Sequence, residues 1–404
     1  MRGRWPIVVA VLALLSACDE QKPAGSSGEI VVGMLAPKTG VMAPHGESME
    51  MGVRVAEKYL NDHGGILGRH VKVVVLDTQS DPAMAAQRAR ELIDRDKVSL
   101  LLGTGLSSET LAVIPVSVSA RVPFIYSMDG ELKTCAAGNH SQVSHLVWGA
   151  GFTERMIVKP FLDYLVKSVL PKGRKSKVYL LGGDYVYPRA TNEFARKTAQ
   201  DMGLTIAGDE YTDVSTSDYT PVIRRIMDSD ADLLLVTNPG SAAATFMRQA
   251  KQLGLDKHMV VSGFATFAQE AVGEMGNSSE GVVYANRYTD LLPGGANADF
   301  LAVYRAMYPN QPLLPGPTVA AGGYGALIVA AAAYQKAGST DPDAFYKAMS
   351  GLKLNLPQGD VAVDPANNIF QQHMYLLRVA GQKYHVIADL GLQKHPGLEG
   401  CSVN

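Results

Sequence analysis

The sequence has few of the features that mark several large classes of protein. Among its 404 residues, 37 are basic and 39 acidic, so the formal net charge is −2, and three are cysteine. Without an excess of basic charge, nucleic acid and anionic membrane surfaces are poor electrostatic partners. Beyond the N-terminus, no apolar stretch reaches the roughly 18 residues that a membrane-spanning helix needs.

Sequence signatures of catalysis and of metal binding are also missing. The sequence contains no GxSxG, HExxH or Walker A motif, and no paired cysteine or histidine spacing that is typical of zinc sites. Two segments, Lys38–Gly40 (KTG) and Ser350–Lys353 (SGLK), mimic motifs of penicillin-reacting enzymes. They stand in reverse order without an SDN between them, so we interpret them as coincidence. We expect no enzyme activity, no cofactor and no metal ion.

The N-terminus has the composition of an export signal. The basic segment MRGRWP precedes the short apolar run IVVAVLALL, and Leu15–Cys18 (LSAC) follows. These four residues resemble a bacterial lipobox, whose cysteine becomes lipid-modified and begins the mature chain. An ordinary signal peptide that happens to contain a cysteine is the alternative. We expect residues 1–18 to be a lipoprotein signal peptide, residues 19–28 a polar tether, and the mature protein to be periplasmic and membrane-anchored through Cys18.

Two cysteines, Cys135 and Cys401, remain once Cys18 is set apart. Because the periplasm is oxidising, an exported chain with two cysteines favours a disulfide bond between them. Spacing along the sequence does not report distance in space, so two unpaired thiols remain the alternative. Two free thiols in natively purified and then denatured protein would contradict the disulfide.

Strand and helix patterns alternate through the rest of the chain. Apolar runs such as EIVVGMLAP and HVKVVVLDT are each followed by a helical pattern, and after a break near residue 148 the same rhythm restarts at Lys177–Gly183 (KVYLLGG). This alternation predicts parallel sheets with helices on both faces. Since 404 residues exceed one average domain, the sequence predicts two α/β lobes with a cleft between them.

Two tyrosines, Tyr185 and Tyr187, stand between KVYLLGG and a helical pattern that starts near Pro188 and stops at Gly203. Such a turn lies at the carboxyl end of a parallel strand, where ligands dock in open α/β sheets. Tyrosine offers a flat apolar face and a hydroxyl group, which suits contact with a small ligand. We expect Tyr185 to face the cleft and Tyr187 to pack inward.

Three segments resemble the Leu/Ile/Val-binding family of periplasmic solute-binding proteins: Asn61–Ala85, Gly103–Val116 and Gly322–Met349. The resemblance extends over nearly the whole mature chain. It implies an α/β fold of the type I periplasmic-binding-protein kind, with two doubly wound parallel-sheet lobes joined by a three-crossover hinge. Lobe one would comprise residues 29–148 and 288–365, and lobe two residues 149–287 and 366–404. The turn GGDYVYPRATN is most similar to the branch that binds urea and short amides.

The resemblance also implies ligand contacts at other strand ends. His45 aligns with a family position that touches ligand, although a surface histidine without a role is the alternative. Ser107 and Ser108 begin a helix, where hydroxyl and N–H groups can bind a carbonyl or carboxylate, or where a hydroxyl can cap the helix. Asn238, in the strand-end turn TNPG, could donate to a ligand oxygen, but Asn-Pro-Gly is also a common turn.

Two segments depart from the amino-acid-binding members of the family. Tyr126, Met128 and Asp129 occupy a strand end where those members usually have small residues and threonine. Phe264 stands where they tend to have the acidic partner of the ammonium group. An unpaired ammonium is costly to desolvate, so we expect a ligand other than a standard α-amino acid. Asp129 could supply the missing anion, and a turn or cap role is its alternative.

The expected function is that of an extracytoplasmic solute-binding lipoprotein. It would capture a small polar or amphipathic solute between its lobes, close, and present the closed form to the permease and ATPase of an ABC importer. The alternative is a periplasmic ligand sensor of the amide-binding type that signals to a membrane partner.

Overall fold

The computed structural model describes residues 28–127, 142–238, 240–264, 269–310, 317–396 and 402–403, and the statements below concern these residues. The strands are β1 (Ile30–Ala36), β2 (Val71–Asp77), β3 (Leu100–Gly103), β4 (Phe124–Tyr126), β5 (Gln142–Val143), β6 (Val147–Gly149), β7 (Lys177–Gly183), β8 (Thr205–Thr212), β9 (Leu233–Thr237), β10 (Val260–Phe264), β11 (Val283–Asn286), β12 (Lys353–Leu356), β13 (Gly359–Val363), β14 (Phe370–Ala380), β15 (Lys383–Gln393) and β16 (Ser402–Val403). The helices are α1 (Ala43–Asp62), α2 (Pro82–Asp94), α3 (Ser107–Ala120), α4 (Glu154–Ser168), α5 (Val186–Asp201), α6 (Thr220–Asp228), α7 (Gly240–Gln252), α8 (Gln269–Met275), α9 (Gly295–Met307), α10 (Pro317–Ala337) and α11 (Pro342–Met349).

The first lobe is built on a five-stranded sheet in the order β2-β1-β3-β4-β6, in which all neighbouring strands are parallel. Its strands are apolar on both faces because helices cover both. Val32 and Met34 of β1 belong to the core that includes α1 and α10, whereas Leu35 belongs to the core that includes α2 and α3. A strand buried in this way reads as a continuous apolar run, which is the pattern of EIVVGMLAP.

The second lobe is built on a nine-stranded sheet. Its parallel part has the order β8-β7-β9-β10-β11, and β14 then pairs antiparallel with β11. The antiparallel strands β13, β12 and β15 extend the sheet beyond β14, but the buried residues Leu356 of β12 and Val361 and Val363 of β13 pack in the core of the first lobe. Both lobes therefore have the predicted doubly wound α/β arrangement, and the antiparallel extension is an addition that strand–helix alternation does not signal.

Three segments of the chain connect the two lobes. The chain passes between them after β6, after β11 and at the start of β14, and a bridge between Gly149 and Ile369 joins the two sheets there. Strand β14 contacts both lobes, because Phe370 packs in the first core and Met374 in the core of the second sheet. The fold is thus two lobes with a three-segment hinge, and the residue limits given for the lobes above stay a proposal.

Residues near the end of the sequence pair with a short strand that lies between β4 and β6 along the chain. Ser402–Val403 (β16) pairs in parallel with Gln142–Val143 (β5). Cys18, Cys135 and Cys401 lie outside the described residues, so both the lipidation site and the disulfide stay predictions. Among the described helices, none is both long enough and apolar enough to cross a membrane.

Candidate functional site

Each sheet has a topological switch point, which is where open α/β sheets bind ligands. In the first sheet the strand order reverses between β1 and β3, and in the second between β7 and β9. The crevices therefore lie beside the loops that follow these four strands. The sequence-predicted residues Ser107, Tyr185 and Asn238 directly follow three of those strands or their short loops, and His45 lies just after the loop that follows β1.

In the first lobe, the loops after β1 and β3 touch at Pro37. A Cβ atom at Gly105 would lie 2.6 Å from Pro37 Cγ, and one at Gly46 would collide with the Pro37 carbonyl oxygen. These two glycines let the segments that contain His45 and Ser107 approach each other. His45 is half-buried in the first turn of α1, and burial lowers the pKa of its imidazole, which favours the neutral ring at pH 7.

The start of α3 is organised by Glu109 rather than by a serine. The carboxylate of Glu109 accepts hydrogen bonds from the backbone N–H groups of Leu106 (2.9 Å) and Gly105 (3.0 Å). Burial raises the pKa of the Glu109 carboxyl, while these hydrogen bonds act to lower it. No side-chain hydroxyl caps the helix, so the capping role considered for Ser107 and Ser108 is not the one observed.

Because neither serine caps the helix, both hydroxyl groups are available to contact a ligand. Ser107 is buried and Ser108 half-buried at the first turn of α3. Within the described parts of the chain, neither hydroxyl has a hydrogen-bond partner. A helix N-terminus favours negative charge, so hydroxyl and N–H groups here can bind the carbonyl or carboxylate oxygen of a ligand.

Tyr126 ends β4 and is mostly buried. It lies in register with Gly103 of β3 and Gly149 of β6, and its ring packs over Gly149, where a Cβ atom would collide with the Tyr126 hydroxyl. The ring therefore belongs as much to the start of the hinge as to the crevice. Met128 and Asp129 lie outside the described residues, so their roles stay predictions.

In the second lobe, Tyr185 occupies the N-cap position of α5, and Tyr187 lies in the first turn of that helix. Both tyrosines are half-buried, and burial raises the pKa of the Tyr185 hydroxyl. Gly182 allows this turn to approach the sheet, since a Cβ atom there would lie 2.9 Å from both Pro188 Cβ and Thr237 Oγ1. The tyrosines are thus held at the crevice between β7 and β9, as the sequence predicts for this turn.

A salt bridge holds the outer side of the same turn. Arg189 donates from Nε to Asp184 Oδ1 at 2.6 Å, and its guanidinium lies 4.3 Å from the ring centroid of Tyr211. The backbone N–H of Asp184 donates to the carbonyl of Thr212 at 2.8 Å. These contacts fix Asp184, the residue that precedes Tyr185. The sequence analysis did not predict them.

Asn238 is buried at the end of β9, and its amide nitrogen is already used. Nδ2 donates to the Tyr219 hydroxyl at 3.1 Å and to Thr212 Oγ1 at 3.4 Å. Its Oδ1 is buried and has no hydrogen-bond partner among the described residues. The expectation that Asn238 donates to a ligand oxygen therefore needs revision, because the group left over is an acceptor.

Phe264 ends β10 as a fully buried ring. It packs edge-to-face on Phe161 of α4, with ring centroids 5.3 Å apart, inside the core of the second lobe. This packing accounts for the ring without a ligand, so we no longer expect Phe264 to contact the solute. The last residue of β10 is therefore apolar rather than acidic.

The two halves of the site approach each other. Helices α3 and α5, which begin at Ser107 and Val186, are in contact although they belong to different lobes. The two lobes therefore contact each other at this position. Within the described residues, no group of three or more His, Cys, Asp and Glu side chains has the arrangement of a metal site.

Comparison with known proteins identifies the family. A family model described as periplasmic binding protein matches residues 29–383, which is most of the chain. The chain belongs to this family, and it is similar to Leu/Ile/Val-binding proteins within it.

Individual relatives agree with the fold described above. The chain is 27% identical over 413 residues to Leu/Ile/Val-binding protein homolog 6 of Brucella melitensis biotype 1, covering 97% of this chain and 99% of the relative. It is 26% identical to an ABC-transporter solute-binding protein of Rhodopseudomonas palustris BisB5 solved with 3,4-dihydroxybenzoic acid, with a TM-score of 0.79 over 91% of this chain and 99% of that one. A branched-chain amino acid binding protein of Streptococcus pneumoniae solved with isoleucine is 21% identical, with a TM-score of 0.77 over 90% and 99%.

Proposed function

We propose that this protein captures a small polar or amphipathic solute in the periplasm and delivers it to an ABC importer by lobe closure. The observation that carries the proposal is that Ser107 and Ser108 lie at one switch point and Tyr185 and Asn238 at the other, while the helices α3 and α5 that follow contact each other across the lobes. Crevices of this kind bind small molecules, and closure gives the permease a distinct form to recognise.

The solute proposed is not a standard α-amino acid. The strand ends that are described offer hydroxyls, a neutral imidazole, a buried amide oxygen and aromatic rings, while the side chain at the end of β10 is the apolar Phe264. Hydroxyls and the N-terminus of α3 suit a carboxylate or a carbonyl. Asn238 Oδ1 suits a donor on the solute, such as a hydroxyl or an amide N–H.

Two solute classes satisfy this set of groups. Short amides and urea offer both a carbonyl and N–H donors, and the Tyr-Val-Tyr-Pro turn resembles the branch that binds them. Hydroxylated aromatic carboxylates offer a carboxylate, a ring for the tyrosines and a hydroxyl donor, and the Rhodopseudomonas palustris relative was solved with such a compound.

A thermal-shift screen separates these classes. Any compound that binds the folded protein alone raises its stability, by about 2.7 kcal/mol when present at a hundred times its Kd. We expect an amide or an aromatic carboxylate to raise the unfolding midpoint, and leucine, glutamate and arginine to leave it unchanged. A screen in which no compound of either class raises the midpoint would contradict the proposed solute.

A periplasmic sensor remains the second candidate function, because the same closure can signal to a membrane partner. This candidate is supported by the resemblance of the Tyr185 turn to the amide-binding branch, which includes regulators. Genes for a permease and an ATPase next to this gene would favour transport, and a neighbouring membrane kinase gene would favour sensing.

The proposal includes a lipid anchor at Cys18. The change Cys18→Ser should release the protein from the membrane fraction, because the thiol that would carry the lipid is removed while the folded lobes are untouched. Fractionation of cells that express either form, followed by immunoblotting, measures this. A Cys18→Ser protein that sediments with membranes as the native form does would mean that Cys18 is not the anchor.

A further inference from the structure

Beyond the solute site, a buried polar network joins the three segments of the hinge. Its centre is the carbonyl oxygen of Ala150, on the segment that follows β6. Arg287, which follows β11, donates from Nη1 to this oxygen at 2.7 Å. Gln372 of β14 donates from Nε2 to the same oxygen at 2.9 Å and lies 3.2 Å from the carbonyl oxygen of Gly151. One carbonyl group thus binds side chains from both other connecting segments.

Further contacts orient the Gln372 amide and join Asn368 to the first segment. Gln358 donates from Nε2 to Gln372 Oε1 at 3.3 Å, which orients the Gln372 amide. Asn368 donates from Nδ2 to the carbonyl of Val147 at 3.2 Å and accepts at its own carbonyl from the N–H of Gly149 at 3.1 Å. The first and third segments are therefore linked on both sides of Ala150.

The network is buried, which makes its hydrogen bonds energetically important. Arg287, Gln358 and Gln372 are 2%, 3% and 0% exposed. Gly322 of α10 leaves space for the guanidinium, since a Cβ atom there would lie 2.5 Å from Arg287 Nη2. Water has little access to such a place, so a hydrogen bond that is lost there is not replaced and the network is weakened.

We propose that Arg287 and Gln372 are positioning residues that set the equilibrium between open and closed lobes, through the hydrogen bonds they share at Ala150. The inference rests on the proposed function, because it concerns capture by closure. Opening requires the three segments to change their mutual angles, and the bonds at Ala150 join all three segments in a structure whose helices α3 and α5 meet across the lobes. The network thus favours the closed arrangement.

Gln372→Met tests the proposal, because it removes all three amide contacts, to Ala150, Gly151 and Gln358, while keeping a side chain of similar length. The loss of one buried hydrogen bond corresponds to about a tenfold change in the ratio of open to closed molecules. We expect small-angle X-ray scattering from the purified protein, with no solute added, to give a larger radius of gyration than for the unaltered protein. The dissociation rate of 3,4-dihydroxybenzoate, if that compound binds, should rise by a similar factor.

The neighbouring residue supplies a matched control. Gln371 is half-buried on the same strand, and its Nε2 donates to Asp364 outside the network, at 2.9 Å. Gln371→Met should leave the radius of gyration unchanged. If Gln372→Met does not fold, Gln358→Met can replace it, because it removes only the hydrogen bond from Gln358 to Gln372. This variant should show a smaller increase in the radius of gyration.

The scattering result stands apart from the proposed solute, since it needs none. A larger radius for Gln372→Met alone supports the proposal even if no compound in the screen binds. Equal radii for the unaltered protein and the folded Gln372→Met or Gln358→Met protein, with only a lower urea midpoint, would overturn it and leave these residues a purely stabilising role.

Discussion

The change Gly52→Ala should destabilise the protein by about 3 kcal/mol or more, because it adds a methyl group where two helices already touch. Gly52 lies in α1, and a Cβ atom there would collide with the backbone carbonyl oxygen of Ala320 in α10. Backbone atoms cannot rotate away as a flexible side chain can, so the helices must separate. Urea unfolding followed by circular dichroism measures the loss as a lower midpoint.

A control for this change lies in another helix. Gly273 in α8 is exposed, and a Cβ atom there would meet nothing within 4 Å. Alanine is favoured over glycine inside a helix by about 1 kcal/mol, so Gly273→Ala should leave the midpoint unchanged or raise it. Equal midpoints for Gly52→Ala and the unaltered protein would show that α1 and α10 do not pack as closely as described.

The second large effect is expected on solute affinity. Tyr185→Ala should weaken binding of the most stabilising compound from the thermal-shift screen by about 2 kcal/mol, or roughly thirtyfold in Kd. The residue stands at the switch point of the second lobe, on the helix that contacts α3 across the cleft. An aromatic ring in that place supplies contact area that alanine cannot. Isothermal titration calorimetry gives both Kd values.

Two further variants serve as comparisons for the Kd of Tyr185→Ala. Tyr164→Ala, in α4 of the same lobe, also removes a half-buried tyrosine ring but lies away from the strand ends, so it should leave Kd unchanged. Tyr187→Ala should affect Kd less than Tyr185→Ala does, if Tyr185 faces the cleft as proposed. An unaltered Kd for Tyr185→Ala would remove that residue from the site.

The sequence predicted the fold well where the signal was local. Apolar runs followed by helical patterns indicated parallel strands covered on both faces, and Val32 and Leu35 of β1 indeed pack in different cores. The same reasoning placed Tyr185 and Ser107 at the carboxyl ends of strands, where the structure has them. It did not predict that β14 would pair antiparallel and contact both lobes, because pairing direction depends on topology rather than on local pattern.

The features that sequence reasoning missed depend on contacts between distant residues. Glu109 stands three residues after the N-cap of α3, which is a recognisable capping spacing. The sequence analysis nevertheless considered Ser107 and Ser108, and not Glu109, as capping residues. The bonds between Ala150 and the side chains of Arg287 and Gln372 join residues more than 130 positions apart. No periodicity or turn signal reports such contacts, so they became visible only in the structure.

The central claim is that the cleft takes a small solute without an α-ammonium group. Calorimetry of the purified protein with leucine, valine, glutamate and arginine, beside acetamide, urea and 3,4-dihydroxybenzoate, tests it most directly. We predict no measurable heat of binding for the four amino acids and saturable binding for a compound of the amide or aromatic carboxylate class. Micromolar affinity for any of the amino acids, lost in Asp129→Asn, would contradict the claim and would make Asp129 the partner of the ammonium.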